Sequence, residues 1–541
     1  MSTGNRDELR KKIDEEIAAL FERIRSLSTD RNTLAPVNSL PPEVLGRAFI
    51  LVRDSSLENT RAGSSKKYLN WLQVTQVSQR WRDVAIGYPD LWTKLPLHNE
   101  QCLKLFLNRS RNSPLSIVIP LSKTNISSFH FILQSSSPVR SLSLGTSSQD
   151  WNQTISHLRF PAPELKEFRL VSNSTGNKDI SWPQDLFGGN APQLRRLTVS
   201  GFPFRGYLPA FHGVTLLCLD GPVIRTPLPI LLNTLRQMFS LRSLTVKDHH
   251  EQDKSNDDTN LTGLSLPIIM PHLKEVTIHS PVFERIFVFF DSLRFLKSPT
   301  FEFRWIVASS AITTIPDSYS RLLQVLQTSY QSGMTPFSRL RIGATSNDFQ
   351  LVGWDITNHI TCHIKMLYSR QPYFPGWFYA CDQLPLTQLD SLEVYGADSL
   401  DFFKQFNDLG LTRLKSISVE DDDGLHLVRF LLQNFEKHRT TTKGPMLTAD
   451  KDNQDLPVYA DTCCKGESWD IDEVAFPALE VIIMPYFPYN SVSHPLWVNA
   501  LKMRKRHGFG PNRIVLEKCR GVTAEMVEEL QAVVEVRRDE W

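Results

Sequence analysis

The chain has 541 residues, 60 Lys and Arg against 58 Asp and Glu, a formal charge of +2 and 41% hydrophobic residues. That balance excludes a global pull toward nucleic acid or an anionic membrane, so a charged partner has to be met locally. The length exceeds one small core and suits two or more domains, or one domain followed by an elongated repeat array.

The opening "MSTGNRDELRKKIDEEIAAL" is polar where a secretory leader needs an apolar run, and no stretch of about eighteen apolar residues follows. A soluble protein of the cytoplasm or nucleus is expected, with no membrane and no nucleic acid partner. Seven cysteines without a CxxC pair fit a reducing compartment rather than a disulfide framework.

Across residues 6–30, Leu9, Ile13, Ile17, Leu20, Ile24 and Leu27 recur at spacings of three and four between charges. This predicts an amphipathic helix with a narrow apolar stripe. Self-association as a coiled coil and folding back on the chain's own domain both produce such a pattern.

In "SLPPEVLGRAFILV", Pro41 and Pro42 suit a first helical turn, Ser39 is a candidate cap, and Val44, Leu45, Ala48, Phe49 and Val52 share a face. A polar stretch, "RDSSLENTRAGSSKK", separates it from "YLNWLQVTQVSQRWRDVAIGYPDLW". There Val74, Val77, Trp81, Val84 and Ala85 lie along one helical face, and Gly87 and Pro89 end the helix.

From about residue 100 the texture changes to a recurring unit of short apolar strands. Copies are "VRSLSL" at 139, "LKEFRL" at 165, "LRRLTV" at 194, "VTLLCL" at 214, "LRSLTV" at 241, "LKEVTI" at 273, "FSRLRI" at 337, "LDSLEV" at 389, "LKSISV" at 414 and "LEVIIM" at 479. Wider gaps leave room for a degenerate copy near "FLKSPTFEF". A period of about 20 to 32 residues with one strand per unit predicts a leucine-rich-repeat solenoid, a horseshoe whose stacked units share one core. An ordinary α/β domain with a shared LxxLxL pattern is the other reading. Polar insertions near 247–262 and 438–470, and a shorter one after 171, read as surface loops. Thr523 caps a helix with Met526, Val527, Leu530, Val533 and Val534 as its stripe, taken as the end of the array.

The segment 37–95 resembles the F-box. Its usual L-P-x-E-[LIV]-[LIV] opening and V-S/C-x-x-W-R-x-[LIVA]-A close, followed by P-x-L-W, match Leu40, Pro41, Glu43, Val44, Leu45, Phe49, Leu72, Val74, Val77, Ser78, Trp81, Arg82, Ala85, Pro89, Leu91 and Trp92. A preceding heptad helix and following irregular repeats are similar to the large F-box-like families of mushroom-forming fungi. The resemblance implies an α/β chain: a small all-helical F-box domain, then an irregular leucine-rich-repeat solenoid over 100–541. It implies a substrate-recruiting subunit of a Skp-cullin-F-box ubiquitin ligase, docked on the Skp adaptor and through it on cullin, with a protein substrate on the repeats. A non-catalytic scaffold acting outside a ligase is the alternative.

By this resemblance Leu40, Pro41, Pro42, Val44, Leu45, Val77, Trp81 and Leu91 form the adaptor interface, although a helical core would use the same residue types. Phe49, Val74, Val84 and Trp92 are assigned to the core. In the repeats, residues between buried strand positions face the concave side. This gives Arg169, Arg196, Lys247, Arg339, Arg341, Glu393 and Tyr395 as substrate-binding candidates, basic early and acidic late, or else a merely solvated sheet face. "KMRKRHG" at 502–508 reads as the charged end of a surface helix, and "EDDD" at 420–423 as a solvated loop. His249, His250, Cys463 and Cys464 lack a second ligand pair, so no metal is expected. No nucleotide-binding, zincin or nucleophile-elbow motif is present, which argues against an enzyme and against a cofactor.

Overall fold

The structure, a computed structural model, describes residues 3–58, 69–96, 99–119, 131–132, 138–145, 158–172, 182–202, 204, 206–221, 227–248, 264–280, 283–296, 299–307, 321, 324–325, 328, 335–345, 348–368, 384–396, 400–442 and 474–539. Of the polar stretch "RDSSLENTRAGSSKK", residues 53–58 continue the helix that begins at Pro42, and the rest lies outside these residues. So do most of the three expected insertions, His249, His250, Cys463 and Cys464. By internal packing the chain divides into two compact units, 1–215 and 216–541, so the division falls among the repeats rather than near residue 95.

The first unit begins with helix α1 (Thr3–Thr33) and a 3-10 turn at Pro36–Ser39, in which the Ser39 hydroxyl donates to the Pro36 carbonyl at 2.7 Å. Ser39 therefore does not cap the next helix. In α2 (Pro42–Glu58) the first helical bond runs from the Leu45 N–H to the Pro41 carbonyl, Pro42 sits where no donor is needed, and Glu43 lies in the positive first turn.

The expected single helix over 74–85 is two elements, a 3-10 turn at Asn70–Gln76 and α3 (Gln79–Gly87). Ser78 breaks them apart. Its backbone is extended and its hydroxyl accepts the Trp81 N–H at 3.2 Å, so it restarts the helix as an N-cap. A 3-10 turn at Pro89–Trp92 follows, then α4 (Glu100–Ser110), capped by Asn99 through the Cys102 N–H at 3.0 Å.

Strands β1 (Leu115–Ile119), β2 (Val139–Gly145), β3 (Glu167–Val171) and β4 (Arg196–Ser200) pair in parallel and in sequence order. Their alternating residues line up across the ladder: Leu142 beside Phe168 beside Leu197, and Leu144 beside Leu170 beside Val199, all buried. The helical module joins this ladder directly, since the Ser116 N–H donates to the Thr93 carbonyl at 3.0 Å.

The second unit continues the pattern with β5 (Leu216–Gly221), β6 (Ser243–Asp248), β8 (Glu275–Ser280) and β10 (Thr300–Val307), all parallel. β10 supplies the degenerate copy sought near "FLKSPTFEF". β7 (Ile268–Met270) and β9 (Leu293–Phe295) form a separate two-stranded pair. Next comes an excursion that no repeat predicts. β10 pairs in parallel with β13 (Ile360–Tyr368), which runs antiparallel to β12 (Asp348–Trp354), itself antiparallel to β11 (Arg339–Ala344). Parallel order then resumes through β14 (Ser391–Tyr395), β15 (Ser416–Val419), β16 (Val481–Pro485), β17 (Arg513–Glu517) and β18 (Glu535–Asp539).

All ten sequence copies coincide with a strand. Helices α5 (Leu228–Gln237), α6 (Phe283–Asp291), α7 (Leu400–Asp408), α8 (Asp423–Thr442), α9 (Ser493–Arg506) and α10 (Ala524–Gln531) connect strands. α8 reaches Thr442, so the expected loop at 438 begins as helix. α10 carries the Thr523 cap, but the array ends on β18 and not on this helix. "EDDD" is a strand-to-helix turn in which Asp421 and Asp422 are exposed, as expected of a solvated loop, while Asp423 is buried at the start of α8. In "KMRKRHG", Arg504 is buried and donates to the carbonyls of Ala475 at 2.7 Å, Phe476 at 2.9 Å and Gly510. Burial lowers its pKa to about 10. The basic run is thus in part an internal clamp on backbone oxygens.

Candidate functional site

The helical module packs around aromatic side chains. Trp71, Trp92 and Phe106 are buried and meet edge to face, with centroids 4.9 to 5.9 Å apart, and the Trp92 indole donates to the Ala85 carbonyl at 2.7 Å. Leu45 and Phe49 of α2 are each 1% exposed, and Leu91 is 0% exposed. Arg53, also buried, donates to the carbonyls of Asp90 at 2.7 Å and Leu91 at 3.1 Å, tying α2 to the last turn. Asp54 accepts from Arg53 and from Lys94, both at 2.8 Å. Burial alone would raise the Asp54 pKa, but these two partners outweigh it and hold the carboxyl below its ordinary value.

This core leaves apolar side chains outside it. Val44 is 47% exposed and Val77 57% exposed, and Leu51, Val52 and Ile86 are exposed as well. On α2 the exposed set Val44, Leu51 and Val52 borders the buried set Leu45, Phe49 and Arg53 along the helix. Trp81 lies between the two conditions. Half-buried, it meets Phe49 with ring centroids 5.1 Å apart and planes tilted by 49°, and its indole N–H donates to the Asn38 side chain at 2.8 Å. Arg80 donates to the Leu40 carbonyl at 2.7 Å, so the segment before α2 is strapped to α3.

Of the eight residues expected at an adaptor interface, Pro41, Pro42, Val44 and Val77 are exposed, and Leu40 and Trp81 are half-buried. Leu45 and Leu91 are corrected to core, because both are buried and present no surface. Phe49, Val74 and Trp92 are buried as expected, while Val84 is half-buried. Leu51 and Ile86 were missed, although Leu51 lies one helical repeat after Val44 on the same face.

The accessible face of the ladder carries rows of aligned polar residues. In the first unit Glu167 stands opposite Arg196 with an ion pair at 3.7 Å, and Arg169 stands opposite Thr198. In the second unit one row runs Lys247, His279, Arg304, Lys365 and Gln350. The next row runs Thr277, Glu302, His363, Val352, Arg341 and Glu393.

The excursion β11–β13 concentrates charge here. Arg339 and Arg341 both donate to the Glu393 carboxylate, Arg341 at 2.5 Å, and the Arg339 guanidinium lies 4.8 Å from the Trp354 ring centre. Asp348 accepts from Lys365 at 2.8 Å, Thr345 at 2.6 Å and Gln350 at 3.0 Å. Tyr395 lies across Gly343, where a Cβ would come within 2.4 Å of the ring. Burial and then the nearby Asp348 charge push the Tyr395 hydroxyl up to about 12. Burial lowers the His363 pKa despite Glu302, and burial raises that of Glu420.

The expectation of separate basic and acidic poles is therefore corrected within this unit. Arg339, Arg341, Glu393 and Tyr395 form one mixed cluster in which two guanidiniums share a single carboxylate, because pairing β11 with β14 brings Arg341 and Glu393 side by side. Lys247 sits in the neighbouring row, half-buried. Among the described residues no three His, Cys, Asp or Glu gather at metal-binding spacing, no disulfide joins Cys102, Cys218, Cys362 and Cys519, and no helix is long and apolar enough to cross a membrane.

No protein-family model matches the chain, and no curated protein matches it. Among solved structures, it is similar to an internalin from Listeria monocytogenes. The likeness has a TM-score of 0.29 at 12% identity and covers 85% of this chain and 95% of that one.

Proposed function

We propose that the chain is a substrate-recruiting F-box-type receptor, with its helical module docking on a Skp adaptor and a leucine-rich-repeat solenoid holding a protein substrate. The observation that carries this reading is the exposure of Val44 and Val77 beside a core already filled by Trp71, Trp92, Phe106, Leu45 and Phe49. A helical module of this size with a complete core has no folding use for further large apolar side chains, and their exposure is the mark of a docking face. They fall at the positions through which the F-box resemblance implies adaptor contact.

Such a receptor needs no catalytic side chain. Joining adaptor and substrate on one chain raises the local concentration of substrate lysines near the ubiquitin-charged enzyme, which is a gain in effective concentration and not in chemistry. On the repeats, the rows of Arg, Lys, Glu, His and Tyr suit a polar protein surface or an extended peptide laid along the ladder.

The test is co-purification of the full chain with recombinant Skp-type adaptor. A stoichiometric complex supports the reading. A chain that folds, shown by its circular dichroism and cooperative melting, yet elutes apart from the adaptor leaves the scaffold alternative in its place.

A further inference from the structure

Helix α1 presents its apolar stripe to solvent: Leu9, Ile13, Ile17, Leu20, Ile24 and Leu27 are between 45% and 58% exposed. At about 100° per residue the six fall within about 80° of arc, one straight seam on a helix of 31 residues. Along that seam the spacings are 4, 4, 3, 4 and 3 residues, nearly the same read in either direction.

We propose that this face pairs antiparallel with α1 of a second copy of this chain. The near-palindrome makes the stripe self-complementary. Centred between Ala18 and Ala19, the pairing sets Leu9 against the second copy's Leu27, Ile13 against its Ile24, and Ile17 against its Leu20. A two-fold interface of this kind uses the same patch twice.

The flanking charges select the direction. Glu16 and Arg23 border the same edge of the stripe, and in an antiparallel pair like edges meet, so each Glu16 lies beside the second copy's Arg23 and the contact occurs twice. A parallel pair brings opposite edges together. It sets Glu16 near the second copy's Asp14 and Phe21, and Arg23 near its Phe21 and Ser28, with no attraction gained. The inference is independent of adaptor binding, because it concerns a different helix and a different face.

Sedimentation of the full chain over a range of concentrations reads the association. A concentration-dependent dimer is expected, and replacing Ile13, Ile17 and Leu20 together by Gln abolishes it while leaving melting at concentrations below association unchanged, since these side chains are exposed in the single folded chain. Glu16→Arg weakens the dimer about 3- to 10-fold, most at low salt, and Glu16→Arg combined with Arg23→Glu restores it. Direction is read by oxidation: a mixture of Leu9→Cys and Leu27→Cys chains cross-links, while Leu9→Cys alone cross-links no more than the wild type. A monomer at every concentration up to about 100 µM overturns the proposal. So does a dimer that survives the triple Gln substitution, or efficient cross-linking of Leu9→Cys with itself.

Discussion

The Trp81 indole donates to the Asn38 side chain at 2.8 Å while its ring leans on Phe49 at 5.1 Å, so one residue closes the chain before α2 onto α3 and still shows part of its ring to solvent. The structural role of this residue and the docking role proposed for it separate by substitution. Asn38→Ala removes the acceptor and is expected to cost about 1 kcal/mol. Trp81→Phe loses the same bond but keeps an aromatic contact with Phe49. Asn38→Ala also loses the bond its amide donates to the Asn32 carbonyl, so it should cost more than Trp81→Phe, and the double variant should cost little more than Asn38→Ala alone. Urea unfolding of the four proteins measures this.

Gly46 sets how closely α2 approaches Tyr88. A Cβ there would lie 2.6 Å from the Tyr88 ring. Gly46→Ala gains helix propensity of about 1 kcal/mol, yet it forces the ring aside at a cost of about 1–3 kcal/mol, so a net loss is expected. Combining it with Tyr88→Ala removes the obstacle. Thermal denaturation should show the pair costing at least about 1 kcal/mol less than the sum of the singles.

Arg504 satisfies three backbone carbonyls from inside the fold. Arg504→Met keeps most of the side-chain volume but leaves those oxygens without their donor, and is expected to destabilise by about 3 kcal/mol or more. Arg504→Lys restores only part, because an ammonium cannot span all three. If Arg504→Met melted at the wild-type temperature, the clamp would have no energetic role.

Asp348 gives stability a defined acid dependence. Burial raises its carboxyl pKa, but hydrogen bonds from Lys365, Thr345 and Gln350 and the Lys365 charge outweigh this, and the folded value lies below the ordinary 3.8. A carboxyl depressed on folding contributes stability that is complete above the unfolded pKa and is lost as pH falls through the folded one. Asp348→Asn should therefore be destabilising at pH 7, with the gap to wild type narrowing below about pH 4. Unfolding by urea at pH 7 and pH 3 checks the sign.

The strands were legible because their signal is local. Alternation with period two, as in "LKEFRL", places Phe168 and Leu170 in the core and Arg169 outside without reference to any other strand. β12 and β13 were not legible, because they leave the parallel path and lack the opening leucine that marks a repeat. Which side chains of the helical module stay exposed was legible only in part. Val44 and Leu45 sit at the edge of one helical stripe, and spacing alone does not say which of two neighbours turns inward; the aromatic cluster does. Reading 74–85 as one helix failed at Ser78, where a side-chain cap overrides a 3.6-residue pattern that continues through it.

Adaptor binding through the exposed edge of α2 and the turn before α3 is tested most directly by the affinity of the full chain for a Skp-type adaptor, wild type against Val44→Asp and Val77→Asp. Both side chains are exposed, so each variant should melt within about 1 kcal/mol of wild type while binding at least about tenfold more weakly. Unchanged affinity in both variants, with the fold intact, would contradict the placement of the docking face.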